Sequence, residues 1–211
     1  MMGCSPYKTR GQLLKELATG LTAEIGSHTQ QLFDKGHAFE ALARPLAEEM
    51  IGEELYPCVG SLGRLSASFD GLTLTEEVAF EHKMLNDDLR QVFADIATIA
   101  PKYRDVGAGE RLPLHYRVQM QQQCMVSGAT RVLFMATRWA DDGTLLESHE
   151  CWYLSDAQLA QEITNGWLQF AADLGEFKPV EVAAEVVGRT PETLPALLIQ
   201  VTGAVTASNL G

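Results

Sequence analysis

At 211 residues and 46 % hydrophobic content, the chain is long enough for one sizeable core and lies just above the usual span of a single domain. A formal charge of −12 and a pI near 4.8 exclude a protein that coats nucleic acid by bulk attraction, and leave room only for a narrow, local site for an anionic polymer. No basic start leads into an apolar leader and no run of about 18 apolar residues occurs, so neither secretion nor membrane spanning has support and a cytoplasmic setting is expected.

In chain order, residues 12–19 and 29–51 carry helical patterning. On the second, Glu40, Ala43 and Ala47 share one face, so Glu40 stands on small apolar neighbours and leans toward whatever that face covers. Arg44 offers Glu40 a surface partner at i+4 worth about 0.2–0.5 kcal/mol, and pattern alone prefers that pairing. Segments 65–69 and 77–83 read as strands, with Asp70 closing the first and Gly71 just after it. On the second, Glu81 and Lys83 project to one face and His82 to the other. A hairpin joining the two segments brings Asp70 near Glu81.

Residues 87–99 predict a helix with Leu89, Phe93 and Ile96 on one stripe. Pro113 suits a first helical turn, and 114–127 places Tyr116, Gln119 and Gln123 on adjacent turns before Gly128. Gln121, Gln122 and Gln123 read as good helix formers facing water. Segments 132–139 and 145–153 make a hairpin around Ala140-Asp141-Asp142-Gly143. Ser155 with Gln158 gives a capping-box pattern, followed by a stripe of Leu159, Ile163, Trp167, Phe170 and Leu174 that reads as core rather than as a stacking platform for bases. The expected organisation is a main domain over 1–178 and, over 179–211, a linker at 190–195 and a strand at 197–201, either an extension of that domain or the start of a truncated module. No internal repeat appears, and the order of elements predicts a mixed α/β fold with helices flanking a central sheet.

Chemistry concentrates in Asp70, Glu81 and Lys83. Magnesium takes oxygen ligands, keeps several waters, and needs only one or two carboxylates beside substrate phosphate oxygens. A lysine next to such an ion supplies positive charge where a phosphoryl transition state becomes more anionic. The same residues also fit a solvated strand face with an ion pair, against which stands the apolar run Val78, Ala79, Phe80 that precedes them. There is no glycine-rich phosphate loop with lysine, no His-Glu-x-x-His helix and no Gly-x-Ser-x-Gly elbow. Cys4, Cys58, Cys124 and Cys151 are scattered without zinc-ligand spacing and are expected as reduced or buried thiols. His28, His37, His115 and His149 are isolated and read as surface or helix-end residues. Lys8, Arg10, Lys15, Arg104 and Arg111 are candidates for positive patches along a channel.

The segments Gly36-His37-Ala38-Phe39-Glu40-Ala41-Leu42-Ala43-Arg44, Ser68-Phe69-Asp70-Gly71-Leu72, Glu81-His82-Lys83 and Tyr116-Arg117-Val118-Gln119 fall in the order seen in the phage lambda-type alkaline exonucleases, the viral recombinase branch of the PD-(D/E)XK nuclease superfamily. Gly3-Cys4-Ser5-Pro6-Tyr7-Lys8-Thr9 also resembles a segment of that family, and the resemblance spans roughly residues 3–175. It implies the PD-(D/E)XK restriction-endonuclease-like fold. It further implies metal ligation by Asp70, Glu81 and the His82 backbone carbonyl, a catalytic Lys83, and Glu40 on a helix beside the metal. Ser68 would lie near the scissile or terminal phosphate, and Tyr116 and Gln119 on a helix lining the site.

The implied activity is magnesium-dependent 5′-to-3′ digestion of one strand of linear duplex DNA, with manganese as substitute. A ring-like homo-oligomer, expected as a trimer, and a single-strand annealing recombination protein are the implied partners, in the cytoplasm of a bacterial host. An arginine and a serine that the family carries upstream of Gly3 have no counterpart here, which leaves 5′-phosphate dependence and strict polarity open. A structure-specific or nicking endonuclease on the same fold and a non-catalytic DNA-binding scaffold of recombination are the alternatives.

Overall fold

The structure is a computed structural model that describes residues 2–21, 26–98, 107–178, 184–188 and 197–201. The expected linker at 190–195 lies outside these residues, as does Arg104. Helices α1 (Arg10–Thr19) and α2 (Ser27–Ile51) precede strands β1 (Leu55–Leu62), β2 (Leu65–Thr73) and β3 (Val78–Met84). Then come α3 (Asp87–Ala97), a 3-10 turn (Ala108–Arg111), α4 (Leu114–Ser127), β4 (Arg131–Trp139), β5 (Leu145–Leu154) and α5 (Ala157–Glu176). The expected strand at Leu197–Val201 (β7) pairs antiparallel with Ala184–Gly188 (β6). Among the described residues no helix is long and apolar enough to cross a membrane.

Five strands form one mixed sheet in the order β1-β2-β3-β4-β5, antiparallel except for the parallel β3–β4 pair. A parallel pair needs a long crossover, which α3, the 3-10 turn and α4 supply. Parallel strands are covered on both faces, and Val132 to Ala136 of β4 accordingly form an unbroken buried run. On one face α2 packs Ala43 and Ala47 against Leu55, Phe80, Leu133 and Met135. On the other, Leu89, Phe93 and Ile96 of α3 join Ala79, Phe134, Ala136, Cys151 and Tyr153, each large apolar side chain contributing about 1.5–3 kcal/mol by its burial. Helix α5 closes over α4 through Leu159, Ile163 and Val118. The stripe expected to be core is core at Leu159, Ile163 and Phe170, with Trp167 set edge-on to Phe170 and donating Nε1–H to Gln122 Oε1.

Three local expectations are corrected. Asp70 does not end its strand: β2 continues to Thr73, and Gly71 sits inside it because a Cβ there would stand 2.8 Å from Leu55 Cβ on the adjoining strand. Helix α5 is capped by Asp156, whose carboxylate accepts the Gln158 and Leu159 amides, whereas Ser155 Oγ faces Gln121. Gln121 and Gln123 do not face water. Both are 1 % exposed, because the third and fourth turns of α4 pack between the sheet and α5.

Candidate active site

The β2–β3 ladder pairs Gly71 with Phe80 and Leu72 with Ala79. Next to these pairs, side chains replace the main-chain pattern. Asp70 Oδ2 accepts the His82 backbone N–H at 2.7 Å, while the Asp70 carbonyl accepts Arg44 Nε–H from α2 at 3.0 Å. The sheet thus holds Asp70 over β3 by its own carboxylate, at the point where Glu81 and Lys83 emerge on the same side.

Glu81 is 1 % exposed and its carboxylate accepts three hydrogen bonds. Oε1 accepts from the Lys83 ammonium and, at 2.6 Å, from Gln119 Nε2; Oε2 accepts from Gln123 Nε2 at 2.6 Å. Burial pushes the Glu81 carboxyl up to about 7, with the Asp70 charge adding to the rise against the pull of Lys83. Asp70 is also raised by burial, although Lys83, the His82 amide and Arg44 oppose that rise. Burial works against the Lys83 ammonium, but Glu81 and Asp70 outweigh it and hold Lys83 above the ordinary lysine value, hence protonated at neutral pH.

Glu40 lies at the edge of this group. Its pairing with Arg44, Nη2 to Oε1 at 2.7 Å, is present as pattern alone expects. Burial and then the charge of Asp70 raise its carboxyl, so Glu40 belongs electrostatically to the site as well. Arg44 bridges Glu40 and the Asp70 main chain. His82 points to the opposite face, as alternation requires. Its Nε2 lies 2.7 Å from Thr137 Oγ1, which also accepts Trp139 Nε1–H, and burial lowers its pKa to about 4, so the ring is neutral.

A cleft of about 480 Å³ is walled by the Gly3 to Arg10 segment, by Ser66 to Ser68 of β2, and by His115, Gln119 and Gln123 of α4; Asp70, Glu81 and Lys83 do not line it, and it reaches them through Gln119 and Gln123, which bond Glu81. Two of its basic side chains are already paired, Lys8 with Glu16 and Arg10 with Asp173. Tyr116 is half-buried, its ring 4.0 Å from that of His115 and 5.3 Å from that of Phe134. His115 sits at a helix end, as the sequence suggests, in the first turn of α4, where burial and then nearby Lys83 lower its pKa. His149 likewise has partners, stacking on Phe93 and bonding Glu147, which Arg90 also holds.

Among the described residues, no group of three or more His, Cys, Asp or Glu side chains is arranged to hold a metal. The donor set is two carboxylates on adjoining strands, Asp70 of β2 and Glu81 of β3, near an open cleft, which fits a magnesium-like ion that completes its shell with water and phosphate oxygens. Among the described residues Gln123 Oε1 is buried with no hydrogen-bond partner, an unpaired polar atom beside the Glu81 carboxylate. Sequence reasoning brought Asp70, Glu81, Lys83, Glu40, Gln119 and Ser68 to this place. It missed Arg44 as a bridge and Gln123 as a buried partner of Glu81, neither of which has a signal short of the fold.

No family model and no curated protein matches the chain. Solved structures do. An alkaline exonuclease from Laribacter hongkongensis, LHK-Exo, superposes with a TM-score of 0.55 at 22 % identity over 83 % of this chain and 84 % of that one. Its complex with dAMP gives a TM-score of 0.57 at 20 % identity with the same coverage. A phage related exonuclease from Haemophilus somnus 129PT gives 0.58 at 14 % identity over 79 % of each chain. At these identities the likeness is one of fold: the chain has the expected PD-(D/E)XK-like architecture, shared with alkaline and phage exonucleases.

Proposed function

We propose that this chain is a magnesium-dependent deoxyribonuclease that digests one strand of linear duplex DNA from its 5′ end, leaving 3′ single-stranded tails for phage-type recombination. The observation that carries the reading is the convergence of Asp70, Glu81 and Lys83 beside an open cleft, on a fold shared with exonucleases. The dAMP held by one of those neighbours is a deoxynucleoside monophosphate, the chemical class that stepwise strand digestion releases.

Asp70, Glu81 and the His82 carbonyl would hold the magnesium ion, with manganese as substitute. When bound, the ion supplies an activated water and charge neutralisation at the phosphate. Lys83, kept protonated by Glu81 and Asp70, places positive charge beside the phosphodiester and orients the nucleophile rather than accepting its proton. Ser68 and Gln119 offer a hydroxyl and an amide to phosphate oxygens along the cleft wall, and Tyr116, one turn before Gln119 on α4, offers a phenol. Glu40, raised by burial and by Asp70, takes hydrogen bonds from waters next to the acids. Attraction of DNA is local, since the surrounding surface is acidic overall. The same reading carries with it a ring-like homotrimer encircling duplex DNA and a single-strand annealing partner.

The test is nucleotide release from 5′-phosphorylated linear duplex with magnesium, with covalently closed circular duplex alongside. Loss of the linear form alone supports the exonuclease. Cutting of both forms replaces it with the endonuclease, and cutting of neither with the scaffold.

A further inference from the structure

Glu81 is held by two amides of α4 that differ in kind. Gln119 is exposed, stands on the cleft wall and has one acceptor in the site, Glu81 Oε1. Gln123, one helical turn further, is 1 % exposed, and its Nε2 donates both to Glu81 Oε2 at 2.6 Å and to the Ser68 carbonyl at 2.9 Å. A single side chain thereby ties three elements together: α4, the β2 main chain two residues before Asp70, and the β3 carboxylate.

We infer that Gln123 is the positioning residue of this site, the fixed clamp that sets the orientation of Glu81 toward Asp70, while Gln119 is the displaceable donor that leaves Oε1 when the site is engaged. This rests on the nuclease reading and deepens it. Glu81 carries rotatable bonds that a strand position does not fix, and only a partner anchored elsewhere can hold its carboxylate plane. Lys83 and Gln119 both reach Oε1 from partly open positions, so Oε1 is the oxygen that can change partners. Gln123, although it borders the cleft, is 1 % exposed and is held by a second acceptor that belongs to the backbone. Among the described residues its own Oε1 is buried without a donor, so the amide is oriented by its two acceptors. Outer-shell partners of metal ligands typically change metal affinity about 10–100-fold when removed.

The experiment is calorimetric titration of the intact protein with manganese, without DNA, on wild type, Asp70→Ala, Gln123→Met, Glu81→Gln and the Gln123→Met/Glu81→Gln double variant, each checked by thermal melting. Gln123→Met keeps the volume and removes the donor. The expected result is binding by wild type, none by Asp70→Ala, at least about tenfold weaker binding by Gln123→Met, and no additional effect of Gln123→Met once Glu81 is Gln. If Gln123→Met does not fold, Gln123→Asn, which keeps the amide but loses reach, is expected to show the same weakening. Wild-type-like affinity in the folded Gln123 variant overturns the clamp and leaves the nuclease reading standing. Equal weakening with and without the Glu81 carboxylate also overturns the clamp. Absence of binding by wild type overturns both.

Discussion

Gln121 and Gln123 lie two residues apart on one helix, are equally buried, and do opposite things. Gln121 Oε1 accepts from the Tyr153 hydroxyl and the Asp156 backbone amide, and its Nε2 donates to Ser155 Oγ, so it joins α4 to β5 and the start of α5 with both its oxygen and its nitrogen partnered. Gln123 meets a charged carboxylate whose pKa burial has raised to about 7, and retains an orphaned oxygen. A polar group satisfied by neutral partners stabilises a fold; one arranged around an unsettled charge marks a place kept for something else. The same contrast runs along β3, where neutral His82 is bonded to Thr137 on one face and, on the other, burial and the charge of Asp70 raise the Glu81 carboxyl.

The larger way to test this contrast is to empty the structural glutamine. Gln121→Met leaves the Tyr153 hydroxyl and the Asp156 amide without their acceptor, and is expected to cost about 2–3 kcal/mol in denaturant unfolding, with turnover per folded molecule unchanged within about twofold. Wild-type stability in this variant would remove the distinction between the two glutamines.

The smaller effect has the opposite sign. Because the folded-state pKa of Glu81 lies above its unfolded value, the stability linked to its proton is fully present below pH 4.5 and is lost as pH rises through about 7. Glu81→Gln mimics the protonated side chain. In chelator, it is expected to be more stable than wild type by about 1–3 kcal/mol at pH 8, the gap closing toward pH 4.5. A variant that is less stable at pH 8 would show that the ion pair with Lys83 outweighs the cost of burying the acid.

Legibility in the sequence follows the same division. Helix α4 was bounded correctly by Pro113 and Gly128, and the β4–β5 hairpin by its Asp-Gly turn, because local chemistry specifies both. Strand β1 escaped sequence reading. It is an edge strand, exposed along most of its length, with Pro57 at an irregularity of the register between Tyr56 and Cys58, so no apolar alternation announces it and only pairing with β2 defines it. Asp70, Glu81 and Lys83 were legible because strand alternation and a hairpin suffice to bring them together. Glutamines at 121 and 123 look alike in a list of helix formers, and only the packing of α4 between the sheet and α5 separates their roles.

The most direct test of the central claim is single-turnover cleavage of 5′-phosphorylated linear duplex in magnesium by wild type, Lys83→Ala and Lys83→Arg, with melting curves showing that all three fold. The account predicts a loss of roughly 10²–10⁴-fold in the cleavage rate for Lys83→Ala, partial recovery in Lys83→Arg, and DNA affinity within a few-fold of wild type. Cleavage by Lys83→Ala at the wild-type rate would contradict it, because the ammonium held between Glu81 and Asp70 would then be part of the fold and not of the chemistry.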